Sequence, residues 1–268
     1  MTLVSTDCLD ENLHKVKIID ASWHLVKNRN SIEEYNKEHI ENAIFFDLDK
    51  NSNQIKDLPH GHFLPSVNEH EKSLSEMGIL NTDRIIIYCS SDLISSCRAW
   101  FQFLYFGHEP KLVSVLNGGM KKWKLEGRKV TNIKNKITSS KYTAKENKNM
   151  IKIKSQIVEN IKKKDFTVLD ARSKSRFLGT EPEPRPGIKS GSIEGSKSMP
   201  LTEIVNIKDN TFLDTKKLRD IFSSSGISSS KIVMSCGSSV SAASLALAYS
   251  LINDDYIPKI YIGSRTEV

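Results

Sequence analysis

Cysteine is scarce in this chain: 268 residues contain four, Cys8, Cys89, Cys97 and Cys236. They match no metal-ligand spacing and are too few for a disulfide framework, so reduced thiols are expected, with no metal and no cofactor. Long hydrophobic runs are also missing. The richest stretch, 242–252, has the length of a core helix and falls short of the roughly 18 apolar residues of a membrane span, so no membrane partner is expected. Residues 1–10 lack an apolar h-region and carry Asp7 and Asp10, unlike a secretory signal or an Arg-rich transit peptide, and the expected compartment is cytoplasmic. Aromatics make up only 7%. The net charge of +7 comes mostly from lysines between Lys111 and Lys164, which are not interleaved with aromatics. That pattern reads as solvated surface and excludes a nucleic-acid partner, although the excess still attracts small anions. With 38% hydrophobic and 26% charged residues the chain is neither disordered nor fibrous, and its length allows one large domain or two ordinary ones.

The chain does contain a repeat of itself. Val16-Lys-Ile-Ile-Asp20-Ala-Ser parallels Phe166-Thr-Val-Leu-Asp170-Ala-Arg, and His39-Ile-Glu-Asn-Ala parallels Ser192-Ile-Glu-Gly-Ser. Met77-Gly-Ile-Leu with Arg84-Ile-Ile-Ile-Tyr-Cys89 parallels Ser225-Gly-Ile-Ser with Lys231-Ile-Val-Met-Ser-Cys236, and Val115-Leu-Asn-Gly118 parallels Tyr261-Ile-Gly263. Four blocks in one order predict two tandem copies, residues 1–130 and 151–268, joined by a Lys-rich linker over 131–150. Short β-branched runs alternate with helical patterns in each copy, which predicts an α/β fold with a mainly parallel sheet flanked by helices. Strands are expected at 16–20, 85–88, 113–116, 167–169, 232–234 and 259–262. Helices are expected at 66–77 and 215–224, each ended by a glycine, Gly78 and Gly226, and at 241–252, apolar all round as a buried helix is.

Ile232-Val-Met-Ser-Cys236-Gly-Ser-Ser-Val-Ser is a strand, a cysteine, a loop of small residues and a helix start. It places a thiol at the carboxyl end of a parallel strand, where open α/β sheets bind ligands, and at a helix N-terminus, whose N–H groups favour a thiolate. A buried structural cysteine is the competing interpretation. A Cys-x5-Arg phosphatase loop is excluded, because it needs arginine at position 242 and the residue there is Ala242.

Several motifs together resemble the tandem rhodanese-type sulfurtransferases, and most closely their 3-mercaptopyruvate sulfurtransferase branch. They are Leu3-Val-Ser-Thr-Asp7, His39-Ile-Glu-Asn-Ala-Ile-Phe-Phe-Asp47-Leu-Asp49, Phe106-Gly-His, Leu116-Asn-Gly-Gly119 with Trp123, Arg176-Phe-Leu-Gly179, Glu181-Pro-Glu-Pro-Arg185-Pro-Gly187 and Cys236-Gly-Ser. The resemblance implies two rhodanese-like domains, the first non-catalytic and the second catalytic. It implies a Cys236 persulfide that takes sulfur from a small-molecule donor and passes it to cyanide, a thiol or a thioredoxin-like protein. Arg176 and Arg185 would hold the donor carboxylate and keto oxygen, with Gly237, Ser239, Val240 and Ser241 forming the loop cradle. A Ser-His-Asp relay would use Ser238, Asp49 and either His60 or His62, the motif leaving both histidines open. The neutral loop after Cys236 favours 3-mercaptopyruvate over thiosulfate, and the tandem copies suggest a monomer.

Other positions depart from the family pattern. Ser239 stands where the family has glycine, at a cost of order 1 kcal/mol if the loop is left-handed there. Ser241 replaces Thr, Ser192 replaces His, and Glu194 replaces Pro. Cys89 takes the place of an Asp in the first copy, where it is expected to be inert. The final segment reads Ile262-Gly-Ser-Arg265-Thr-Glu-Val268 where the family has Asp-Gly-Ser and two tryptophans, so weakened packing is expected there. Thiosulfate sulfurtransferase and a catalytically silent binding or sulfur-carrier module are the alternatives.

Overall fold

The structure is a computed structural model that describes residues 2–25, 28–58, 61–227 and 231–267. The chain divides into two compact units: Met1–Ser52, Leu64–Asn147 and Lys208–Thr211 form the first, and Asn53–Phe63, Lys148–Ile207 and Phe212–Val268 the second.

The first unit contains β1 Leu3–Val4, α1 Thr6–Asp10, β2 Lys17–Asp20, α2 Ser31–Lys37, β3 Ala43–Phe45, α3 Val67–Glu76, β4 Ile85–Tyr88, α4 Ser96–Tyr105, β5 Val113–Leu116 and α5 Gly119–Leu125. Its sheet runs β1-β5-β4-β2-β3, every neighbouring pair parallel. Ile85, Ile86, Ile87 and Tyr88 are all fully buried, as a central strand covered on both faces requires. The start of α3 is a reciprocal cap: Ser66 Oγ accepts from the Glu69 N–H, and Glu69 Oε2 accepts from the Ser66 N–H at 2.8 Å.

The second unit repeats the plan with β6 Ile151–Lys152, α6 Lys154–Lys163, β7 Thr167–Asp170, α7 Lys174–Leu178 and β8 Lys197–Ser198. It continues with β9 Val205–Asn206, β10 Thr211–Phe212, α8 Thr215–Ser224, β11 Ile232–Ser235, α9 Val240–Ser250, β12 Ile260–Tyr261 and α10 Ser264–Glu267. Its five-stranded sheet, β6-β12-β11-β7-β8, is parallel throughout and matches the first strand for strand. The register agrees too: Asp20 pairs with Tyr88, Asp170 with Ser235, and a cysteine follows each partner. Helix α9 is buried from Val240 to Tyr249; Leu245 and Leu247, both fully covered, each contribute about 1.5–3 kcal/mol by leaving water.

The predicted strands and helices are present within a residue or two, but the boundaries between the copies differ from those expected. Residues 131–147 are not a free linker. They form an extended strap on the first unit, where Thr131 and His39 exchange backbone hydrogen bonds of 2.7 and 2.8 Å and Asn135 Nδ2 donates to the Ala43 carbonyl at 2.8 Å. The strap also buries Tyr142 and passes so close to Gly78 that a Cβ there would lie 2.5 Å from the Thr138 carbonyl oxygen. Its order comes from backbone bonds to the unit's surface, which leave no periodicity in the side chains. Residues 53–63, from the first copy's stretch of sequence, belong by their contacts to the second unit. No helix among the described residues is long and apolar enough to cross a membrane.

Candidate active site

Strand β11 delivers Cys236 to the carboxyl edge of the second sheet, buried at 2% exposure. Its backbone is held on both sides by the chain's last segment. The Cys236 N–H donates to Ser264 Oγ at 3.2 Å, and the Cys236 carbonyl accepts from the Arg265 N–H at 3.0 Å. Ser239 adopts the left-handed conformation, φ 68°, immediately before α9. Its conformational cost is offset by its hydroxyl, which donates to the Ile262 carbonyl at the end of β12. The hydroxyl that glycine would lack therefore ties the loop to the neighbouring strand. The weakened C-terminal packing expected from the missing tryptophans is answered at this site by polar anchoring from Ser264 and Arg265.

Gly237 is the point on which the site converges. A Cβ at this position would lie 2.9 Å from Arg185 Nη2 and 3.2 Å from Arg176 Nη2, so both guanidinium groups reach the residue next to the thiol and an added side chain would push them back. Arg176 sits in the last turn of α7, whose N-cap Ser173 accepts from the Arg176 N–H. Behind it lies a buried network. Arg172 grips Asp170 through Nε and Nη2, at 3.0 and 2.6 Å, and donates from Nη1 to Glu183 Oε1 at 2.7 Å. The Glu183 carboxylate in turn accepts from Nε and Nη2 of Arg176. Burial works against ionisation of Glu183, yet the hydrogen bonds and charge of Arg176 and Arg172 outweigh it and hold the carboxyl below its usual range. The neighbouring Glu181 instead accepts from Ser175 Oγ.

His62 Nδ1 lies 3.1 Å from Ser238 Oγ, and both residues are buried. The segment that carries His62 is closed by an Asn53–Phe63 bridge and by the Gln54 side chain, whose amide donates to the Gly61 carbonyl at 2.7 Å and accepts from the Gly61 N–H at 3.1 Å. His60 lies outside the described residues. Asp49 is placed in the first unit, at its surface, where its Oδ1 accepts from Trp23 Nε1 at 3.1 Å. Val240 and Ser241 form the first turn of α9, both buried, and their backbone N–H groups face the loop end of the helix. Among the described residues no group of three or more His, Cys, Asp or Glu side chains could hold a metal.

The first copy presents the same architecture with different chemistry. Cys89 follows β4, is 5% exposed, and has Sγ 3.4 Å from Ser96 Oγ; burial pushes its thiol above the ordinary value. Glu34 reaches its loop and accepts from Ser90 Oγ at 3.0 Å, clamped by Arg29 at 2.7 Å, and the Arg29 Nη2 itself donates to the Ser90 carbonyl at 3.3 Å.

Sequence reasoning missed Arg172, Ser264 and Arg265. The internal repeat carried a signal for the first of them, since Ser22 stands at the matching place after Asp20-Ala. An arginine there is the kind of change that marks a charge added to one copy only.

A model of the rhodanese-like domain family matches residues 5–126, within the first copy. The chain is 35% identical to thiosulfate/3-mercaptopyruvate sulfurtransferase 1, mitochondrial, of Arabidopsis thaliana, over 99% of this chain and 75% of that protein. It is 33% identical to the human 3-mercaptopyruvate sulfurtransferase, over 94% of this chain and 84% of that one. The same identity, 33%, holds with the mouse thiosulfate sulfurtransferase, over 99% and 91%. The crystal structure of SseA from Escherichia coli, described as a 3-mercaptopyruvate sulfotransferase with the rhodanese fold, superposes with a TM-score of 0.86 at 29% identity, covering 98% of this chain and 99% of that one.

Proposed function

The chain belongs to the tandem rhodanese-type sulfurtransferases, and from that premise we propose that it takes sulfur from 3-mercaptopyruvate through a persulfide on Cys236. The convergence of Arg176 and Arg185 on Gly237 carries this reading, because it puts two guanidinium forks one residue from the thiol. A 2-keto carboxylate needs planar, two-pronged recognition at that distance from its reacting sulfur. The Cys236 thiolate attacks the donor sulfur, a sulfur–sulfur bond forms, and the carbon–sulfur bond of the donor breaks. The electron pair goes to carbon as the enolate of pyruvate, which is protonated and leaves. The enzyme then holds Cys236 with one added sulfur, an anion favoured by the first turn of α9.

In the same proposal His62 and Ser238 conduct the proton to the leaving enolate, and Asp49 belongs to the relay. His60 carries no structural support either way. The outer sulfur passes to cyanide, a small thiol or a thioredoxin-like protein: the acceptor bonds to that sulfur, the sulfur–sulfur bond breaks, and the Cys236 thiolate returns. The enzyme is proposed to work as a monomer in the cytoplasm, where a reducing environment keeps the four free cysteines as thiols.

The test is incubation of the full chain with 3-mercaptopyruvate or thiosulfate, reading pyruvate and the mass of the Cys236 peptide. Gain of one sulfur with pyruvate release is the expected result, abolished by Cys236→Ser. A gain from thiosulfate alone would replace the donor, and no gain from either in folded protein would leave a binding module.

A further inference from the structure

Arg265 occupies a place that the first copy fills with a methionine. The Met120 N–H donates to the Cys89 carbonyl at 3.0 Å, as the Arg265 N–H does to the Cys236 carbonyl, and each follows a left-handed residue, Gly119 at φ 52° and Ser264 at φ 48°. Met120 is buried in the apolar cluster of its unit. Arg265 is equally buried, at 6% exposure, although burial and the nearby charge of Arg172 both work against its ionised form. A guanidinium persists in such a place only through the bonds it makes. Its Nη2 donates to the carbonyls of Lys189 and Ser190 at 2.8 and 3.1 Å, while its Nε is buried without a hydrogen-bond partner among the described residues.

These carbonyls close the loop that carries Glu183 and Arg185. The next one, of Gly191, accepts from Arg172 Nη2 at 2.8 Å. Three successive carbonyls are thus held by two buried arginines, and one of these is anchored through its own backbone to Cys236. We propose that Arg265 is a positioning residue for donor binding, setting the 185–190 loop so that Arg185 reaches the Cys236 loop. This assignment rests on the function proposed above.

The test compares Arg265→Met and Arg265→Lys with the wild-type chain, each checked for folding by circular dichroism. If Arg265 acts through a carboxylate grip made equally in ground and transition states, KM for 3-mercaptopyruvate rises about tenfold in R265M and about threefold in R265K, with kcat within about twofold. Adding R265M to Arg185→Met then raises KM no further than R185M alone, because both changes remove one grip. Unchanged KM in a folded variant, or an additive double mutant, would overturn the proposal; if R265M does not fold, R265K decides it. A second readout is independent of turnover. The Lys189 carbonyl belongs to the peptide bond that trypsin cuts, so native-state cleavage after Lys189 must quicken in R265M, and an unchanged rate would overturn the anchoring of the loop by Arg265. A wild-type chain that turns over no donor would overturn the donor assignment alone, leaving the cleavage rate to judge the anchoring by Arg265.

Discussion

Glu34 and Arg176 hold matching places in the two copies and carry opposite charge. Each lies on the helix that follows the second strand of its copy in chain order, β2 or β7, and each reaches the residue after a cysteine: Glu34 accepts from Ser90, and Arg176 comes within 3.2 Å of the Cβ position of Gly237. The balance of charge differs accordingly: beside Cys89 the Glu34 carboxylate is matched by one guanidinium, that of Arg29, whereas beside Cys236 two guanidinium groups, of Arg176 and Arg185, stand against the Glu183 carboxylate. Both thiols are buried, so accessibility alone does not separate them.

Charge does separate them, and alkylation measures it. Iodoacetate carries a negative charge and iodoacetamide none, so the ratio of their rates reports the local field. Cys236 is expected to show an iodoacetate-to-iodoacetamide ratio about tenfold above that of Cys89, and to react faster with both. Peptide mass spectrometry after timed quenching gives the four rates. Equal ratios would show that Arg176 and Arg185 do not govern the field at the thiol.

The parts of this arrangement that were legible in the sequence are those written in local pattern. Strands such as Ile85–Tyr88 are unbroken apolar runs, and the glycines after α3 and α8, Gly78 and Gly226, have the left-handed φ of 67° and 68° that ends a helix. The strand, cysteine and small-residue loop at Ile232–Ser239 is likewise one continuous stretch. What could not be read depends on where backbone meets backbone. The 131–147 strap is polar and aperiodic because its carbonyls and N–H groups do the holding. Arg265 is a departure in the final segment that only the carbonyls of Lys189 and Ser190, 76 and 75 residues away, explain.

The His62–Ser238 contact predicts a proton-transfer defect separable from binding. Ser238→Ala removes the hydroxyl 3.1 Å from the imidazole, and His62→Gln keeps a polar side chain of similar size. Each is expected to lower kcat for pyruvate release about a hundredfold with little change in KM, the usual scale of lost acid/base assistance. A stopped-flow pyruvate assay under donor saturation checks this. A rise in KM at constant kcat would assign the pair to donor binding instead.

Glu183 joins two arginines, and its removal should be felt in both stability and binding. Glu183→Gln leaves Arg172 and Arg176 with a neutral partner in a buried place, a change costing about 3 kcal/mol where one half of a buried pair is lost. The folded carboxyl has its pKa below the ordinary value, so the wild-type contribution is present above the unfolded pKa and is lost as pH falls through the folded one. The stability gap between wild type and variant, measured by urea unfolding, must therefore be widest at neutral pH and shrink in acid. KM for the donor should rise as Arg176 loses its orientation, and a gap independent of pH would refute the ionised bridge.

Asp20 gives the opposite sign. Its counterpart Asp170 meets Arg172, whereas Asp20 is buried with Ser22 in the arginine's place, and burial raises its pKa from 3.8 to about 6 despite hydrogen bonds from Ser22 and Tyr88. A carboxyl raised in the folded state stabilises fully below its unfolded pKa, and that contribution is lost as pH climbs through about 6. The difference of roughly two units corresponds to about 3 kcal/mol of burdened stability at neutral pH, an upper bound because the interior relaxes around the charge. Asp20→Asn keeps an oxygen for the Ser22 N–H and removes the ionisation. It is expected to raise Tm by about 5 °C at pH 7.5 and to leave Tm within about 1 °C of wild type near pH 4, where both side chains are neutral in the folded chain. Thermal unfolding across that range decides it. A variant less stable than wild type at pH 7.5 would mean that the charged form of Asp20 is held by its neighbours more strongly than burial opposes it.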